Sequence, residues 1–433
     1  MNEKVIILGL TGPIGSGCSV LAHIFEGNQE DVAPIIKWLH DDNILLSKGS
    51  DLEISYKHIN EKIVFLFENQ KTPNENFHKI VSELEKRESY HGLHLLAKYA
   101  SKGNPFFVIS ASTFIFLKAI IQANNVNSND IDDDISKYFL DFIKSSEIVK
   151  SIKENYPTGL NDALQSVFLG NSSYINLQEN ITSIKESFKR TYDIYYTDLL
   201  QNFGNNLRKT GNAFGVDEFK PDNAQCIMQD ISKIIKKEQG NSSAKIFVID
   251  CIRNPYEAIY LRNEFANFYL ISVYADKNIR FKKFKARCRK LDVSKQINAL
   301  KKADHRDSGK DIRTDEERLY KQNINKCVQI SDIAISITNE EVNARQLYEK
   351  FIRYLPLILC PGCTKPTKDE MFMNLAYAMA VKSNCISRQV GAVIVGKDGY
   401  IIGAGYNDVG EGRISCGLRE ITDLKQKEFL PIV

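Results

Sequence analysis

Short runs of apolar residues recur along the chain, separated by stretches of helical period. They are Val5–Leu8, Phe106–Ile109 (FFVI), Ile246–Ile249 (IFVI), Phe268–Val273 (FYLISV) and Ile333–Ile337 (IAISI). Continuous apolar runs bounded by turn residues predict strands buried on both faces, and helices between them predict an α/β parallel sheet. Tyr192–Phe203 predicts a helix, with Asn205 and Arg208 following Gly204 as surface polar or binding residues. The Asn- and Asp-rich stretch Ala123–Asp134 predicts an exposed loop. Pro361, Gly362 and Pro366 break regular structure and predict a linker over 359–366, which divides a domain at 1–358 from a second at 367–433.

The second domain opens with a predicted helix. Thr367 and Glu370 suit a capping box, and Phe372, Leu375, Ala376 and Met379 predict one buried face. Ser387, Arg388 and Gln389 lead into an apolar run, Val390–Val395. Asp398-Gly399 marks a hairpin turn, Tyr400–Gly405 is the return strand, and Tyr406 and Asn407 close it.

Composition narrows the class. The chain has 433 residues, 43% of them hydrophobic, enough for two or three domains with sizeable cores. A net charge of +3 is too small to point to nucleic acid as the main partner. Nine cysteines scattered through a long chain predict reduced thiols and a cytoplasmic protein. The apolar N-terminal run is broken at once by glycines, and no stretch suits a membrane span. Cys360 and Cys363 form a C-x-x-C pair, yet with Cys385 and Cys416 they reproduce no usual spacing of zinc ligands, so no metal site is predicted.

Candidate chemistry begins after the first strand. Gly12, Gly15, Gly17, Cys18 and Ser19 precede a helix-forming stretch. Strand, glycine-rich loop and helix N-terminus present free N–H groups to an anion. The spacing matches the phosphate loop G-x-x-x-x-G-K-[ST], except that Cys18 stands where lysine belongs. The loop can hold ATP or another nucleotide through backbone donors, and Ser19 can meet Mg²⁺. Phosphoryl transfer needs a cation from elsewhere. Asp250, at the end of IFVI, either holds Mg²⁺ or a nucleophile, or caps the following helix, and Arg253 is a candidate to clamp phosphate. The basic segment Lys277–Lys302 reads as a helical lid over phosphates or as a solvated face.

The helix, SRQVGAVIV, the hairpin and GYN come in the order of the cytidine and deoxycytidylate deaminase fold, which this region resembles. Together with the lysine-less loop, the D-x-I-R-N-P run at Asp250 and the later DVGEGRISCGLREITDL, the chain resembles two-domain bacterial anti-phage dCTP/dCMP deaminases. The resemblance implies a P-loop NTPase-like parallel sheet followed by an incomplete cytidine-deaminase-like α/β domain. It implies that Arg388 contacts phosphate and Asn407 the sugar of dCTP or dCMP. It also implies a Zn cofactor in the family, an oligomer, and an inhibitory RNA or protein partner. The family's H-x-E and P-C-x-x-C have no counterpart after Asp369, and no histidine follows His305. This chain is therefore expected to be truncated before the zinc motifs, to carry no catalytic residue of its own and to be inactive alone as a deaminase. Residues past 366 are expected to be poorly stable in isolation. The alternative reading is a nucleotide-binding sensor, or a nucleotide-kinase-like protein acting through the glycine-rich loop.

Overall fold

The computed structural model describes residues 5–26, 106–126, 134–147, 156–215, 218–241, 246–287, 293–337, 368–410 and 412–416, with a few isolated positions between them. The chain divides into two compact units, Met1–Leu359 and Cys360–Val433.

In the first unit the elements run β1 (Ile6–Thr11), α1 (Cys18–Glu26), β2 (Phe106–Ser110), α2 (Ala111–Ala123), α3 (Asp134–Ser145), α4 (Leu160–Leu169), α5 (Tyr174–Thr191) and α6 (Asp193–Thr210). They continue with α7 (Cys226–Asn241), β3 (Ile246–Asp250), α8 (Pro255–Glu264), β4 (Phe268–Ala275), α9 (Lys277–Arg287), α10 (Val293–Asp307), α11 (Asp315–Tyr320), α12 (Ile324–Gln329) and β5 (Ile333–Ile337). All five strands form one sheet in the order β2-β3-β1-β4-β5, and every neighbouring pair is parallel.

Side-chain alternation explains why the strands read as unbroken apolar runs. Ile7, Phe107, Ile109, Phe247 and Ile249 join one core with helices α2 to α8. Ile6, Leu8, Leu10, Val108, Val248, Ile271 and Val273 join a second core on the opposite face, with Leu21, Ala22 and Phe25 of α1. In β1 and β3 both faces are covered, so both sets of positions must be apolar, whereas β5 at the sheet edge leaves Ala334 and Ser336 exposed. From β1 the chain moves to one side to build β2 and β3, then to the other for β4 and β5. That reversal opens a crevice at the carboxyl end of β1.

The structure extends the first predicted strand through Thr11 and the predicted helix to Thr210. The basic segment is two helices, α9 and α10. Asp250 does not cap α8. Asn254 does, in a capping box with Glu257, because the chain turns through Cys251–Arg253 before the helix begins. Most of the predicted Ala123–Asp134 loop, and Thr367, Cys360 and Cys363, lie outside the described residues.

The second unit contains α13 (Lys368–Val381) and an antiparallel pair, β6 (Gly391–Val395) and β7 (Ile401–Tyr406). Gly391 sits where a Cβ would lie 1.9 Å from Ala376 O and 2.4 Å from Ala380 N, so helix and hairpin approach as only glycine permits. The predicted buried face of α13 needs correction. Phe372, Ala376 and Met379 are half-covered and Leu375 is exposed, since among the described residues the sheet beside this helix has two strands. Among the described helices none is long and apolar enough to cross a membrane.

Candidate functional site

The crevice at the end of β1 is a cleft of about 750 Å³. It collects every loop and strand-end residue that the sequence singled out in the first unit: Gly12, Gly15, Gly17, Cys18, Ser19, Asp250 and Arg253. Gly12 leaves β1 against the neighbouring strand, where a Cβ would meet Val273 O at 2.3 Å. Gly15 and Gly17 take φ of +80° and +109°, which side-chain-bearing residues rarely adopt. Ser16 N donates to Pro13 O at 3.0 Å, which tightens the loop into the first turn of α1.

Cys18 is buried, and burial pushes its thiol up to about 12, with smaller opposing effects from Ser16 and Arg253. The position is therefore neutral, and the loop carries no charge of its own where lysine is expected. Its Sγ lies 3.5 Å from Ser16 Oγ.

Strand β3 delivers Asp250, and a tight turn follows. Cys251 adopts φ +71°, an unusual and strained conformation for a residue with a side chain, worth about 1–2 kcal/mol. The turn is stitched to β1: Ile252 N donates to Leu10 O at 2.8 Å and Thr11 Oγ1 to Ile252 O at 2.7 Å. Cys251 Sγ donates to Asp250 Oδ1 at 3.1 Å. Burial, with the Asp250 charge beside it, raises the Cys251 thiol well above its ordinary value.

Arg253 does not stand free. Its Nη1 lies 2.7 Å from Asp307 Oδ1 at the end of α10. Burial works against the Arg253 charge, but the Asp307 carboxylate, with smaller help from Cys251 and Cys18, raises the guanidinium above its ordinary value. Asp307 is itself buried. It also accepts from Gln201 Nε2 at 2.8 Å and from the loop amide Ile14 N at 3.3 Å. A carboxylate thus rests on a loop N–H and on the arginine expected to clamp phosphate.

Arg280 supports the loop from outside. Its Nη1 donates to Ile14 O at 3.2 Å and pairs with Asp304 at 2.6 Å. The basic segment therefore touches the loop through a buried, paired arginine, and solvated charge describes only part of it.

Two residues of the cleft, Glu257 and Lys185, escaped sequence reasoning, and a third, Arg208, takes a different place from the surface position expected of it. Arg208 is a buried partner of Glu257 at 2.8 Å, not a surface group. Glu257 in turn accepts from Arg253 N and Asn254 N at 3.3 and 3.2 Å, holding the turn that aims Arg253. Lys185 of α5, also buried, projects to the start of α2. Its place on an apolar stripe with Ile181, Ile184 and Phe188 was the available signal for Lys185.

In the second unit the structure brings Arg388 and Asn407 together. Asn407 Nδ2 donates to Arg388 O at 2.9 Å, while its Oδ1 accepts from Val390 N at 2.7 Å and Ser383 Oγ at 2.8 Å. These bonds leave one amide proton of Asn407 for a ligand. The Arg388 side chain is exposed. Backbone N–H groups of Arg388 and Ser387 hold the Cys385 thiol below its ordinary value.

The first unit is thus an α/β sheet with a glycine-lined crevice, and the second a helix packed on a hairpin. Residues 366–419 match the family described as the cytidine and deoxycytidylate deaminase zinc-binding region. A 59-residue stretch is 37% identical to the deoxycytidylate deaminase of Schizosaccharomyces pombe, covering 14% of this chain and 18% of that protein. A 53-residue stretch is 42% identical to the deoxycytidylate deaminase of Mycobacterium phage D29, covering 12% of this chain and 41% of that protein. The chain therefore spans well under half the length of either relative. No solved structure matches.

Zinc is implied by the family description, and the residues present do not fit it. Residues 369–433 hold no histidine, and among the described residues no group of three or more His, Cys, Asp or Glu could hold a metal ion.

Proposed function

We propose that this is a deoxycytidine-nucleotide deaminase-type protein whose first unit binds a nucleotide through the glycine-rich loop. The match over residues 366–419 carries the deaminase part of the reading. In it Arg388 recognises the phosphate of dCMP or dCTP and Asn407 the sugar, through the amide proton that its structural bonds leave over. The residues of this chain supply neither H-x-E nor P-C-x-x-C, so on their own they hold no zinc and do not deaminate.

The nucleotide reading of the first unit rests on the crevice. The loop and the N-terminus of α1 line it together with Asp250, which in this reading holds Mg²⁺, and Arg253. With Cys18 in place of lysine, the loop favours retention of a nucleotide over rapid phosphoryl transfer. The division of labour is a nucleotide-sensing domain over 1–358, a linker over 359–366 and a deaminase-type domain from 367. By the resemblance, the setting is depletion of deoxycytidine nucleotides in anti-phage defence.

Two assays on the purified chain test this. Calorimetric titration with ATP, dCTP and dCMP should show binding that weakens at least tenfold in Gly15→Asp, whose carboxylate repels phosphate. Zinc analysis and dCMP turnover should both read zero. Zinc at one per chain with turnover would overturn the inactivity; no nucleotide binding at millimolar ligand would overturn the sensor.

A further inference from the structure

The cleft contains a buried cation that, among the described residues, forms no ion pair with a carboxylate. Lys185 is 7% exposed. Its Nζ donates to Thr113 Oγ1 at 2.6 Å and to Ser112 Oγ at 3.3 Å, both neutral hydroxyls. Among the described residues no Asp or Glu forms an ion pair with it, whereas Arg208, Arg253 and Arg280 each have one. Burial lowers its pKa, and the charge of nearby Asp250 only partly offsets this. An ammonium has three donors, so one proton remains without an acceptor among the described residues. Buried charges are normally paired, and an unpaired one is costly to keep.

The surroundings of Lys185 are built to receive an anion. Ser112 and Thr113 lie in the first turn of α2, a thirteen-residue helix with no acidic residue in that turn. The positive end of the helix therefore faces the same point as the ammonium. Ser110 Oγ caps this helix by accepting from Thr113 N at 3.3 Å, and Ser110 and Ser112 hydroxyls lie 3.0 Å apart. Thr182 Oγ1, one turn before Lys185, lies 3.4 Å from Thr113 Oγ1. Gln178 fixes α5 against the strand end, accepting from Ser110 N at 2.8 Å and donating to Val108 O at 2.9 Å. The cation is thus held by packing in advance of any ligand. In sheet order, β2 is separated from β1 by β3, so this point is not part of the glycine-rich loop.

We propose that Lys185 and the first turn of α2 form a second anion-holding point of the cleft, which takes a phosphate monoester group separately from the glycine-rich loop. The inference rests on the reading of the cleft as a nucleotide site, and it adds that the cleft engages two phosphate groups at once. Lys185 then places a positive charge opposite a loop that has none at position 18.

Inorganic phosphate is the probe, titrated calorimetrically into the full chain and into four variants. Wild type should bind phosphate at two independent points. Lys185→Met should lose one and keep the other, and Lys185→Arg should restore it. Ser112→Asp supplies an internal carboxylate beside the ammonium at a favourable helix position. It should lose the same binding point while unfolding at a higher temperature, which keeps the test informative if Lys185→Met fails to fold. Gly15→Asp should lose only the other point. If Lys185→Met and Ser112→Asp both bind phosphate as wild type does, the inference is wrong. It is also wrong if Gly15→Asp alone abolishes all binding. If Gly15→Asp changes nothing while Lys185→Met loses a point, the second point stands and the glycine-loop reading falls.

Discussion

The Arg208–Glu257 pair is the sharpest test of how the cleft is held in shape. Both side chains are nearly inaccessible, at 2% and 1%, and Arg208 Nε lies 2.8 Å from Glu257 Oε1. The two partners are not equivalent. Without Arg208, Glu257 keeps two backbone donors, Arg253 N and Asn254 N. Without Glu257, Arg208 keeps, among the described residues, Asn205 Oδ1 at 3.5 Å. Glu257→Leu should therefore cost about 3–5 kcal/mol, the usual result of stranding a buried charge. It also forfeits the capping box, worth about 1 kcal/mol. Arg208→Met should cost less, about 1–3 kcal/mol, because the carboxylate left behind is still hydrogen-bonded. The double variant removes both charges and should cost less than Glu257→Leu alone, leaving mainly the cap loss. Urea unfolding of the four proteins, read as midpoints at constant m, gives the cycle. Costs that add to within about 0.5 kcal/mol would refute the reasoning, since they would mean that the two groups do not depend on each other.

Asp307→Asn should leave Arg253 and Ile14 N without their anionic acceptor, so phosphate binding in the cleft should tighten about tenfold, about 1.4 kcal/mol, by calorimetry with pyrophosphate. Unchanged affinity would show that the carboxylate does not compete with ligand. The lowered pKa of Lys185 makes a pH prediction. Between the folded value and the ordinary 10.5 the unfolded chain binds more protons at this site, so its contribution to stability rises with pH in that window. The destabilisation of wild type relative to Lys185→Met should therefore shrink as pH climbs toward 10.5, and a constant difference across the window would contradict it. In the second unit, Gly391→Ala must push the hairpin off α13, because its methyl would lie 1.9 Å from Ala376 O. Limited proteolysis of the full chain should then cut residues 368–406 faster than in wild type, and equal rates would argue against the close approach.

The sequence by itself determined the class of fold. Burial on two faces leaves the inner strands no choice but to be apolar throughout, so their runs were legible, and the glycine spacing was legible because only glycine fits Gly12 and Gly15. The helix and hairpin of the second unit were readable from Asp398-Gly399 and the flanking runs for the same local reason. Tertiary structure alone decided what the charges do. Asp307 reaches Arg253 across 54 positions and Ile14 across 293, and Lys185 reaches Thr113 across 72. Pairings at such separations depend on which helices cover which sheet face, and no local pattern encodes them. Tertiary structure also corrected Leu375, which has the right period for burial but, among the described residues, a two-stranded sheet beside its helix. Local rules set where strands, turns and caps form, whereas the partner of a buried charge is fixed only when the chain closes on itself.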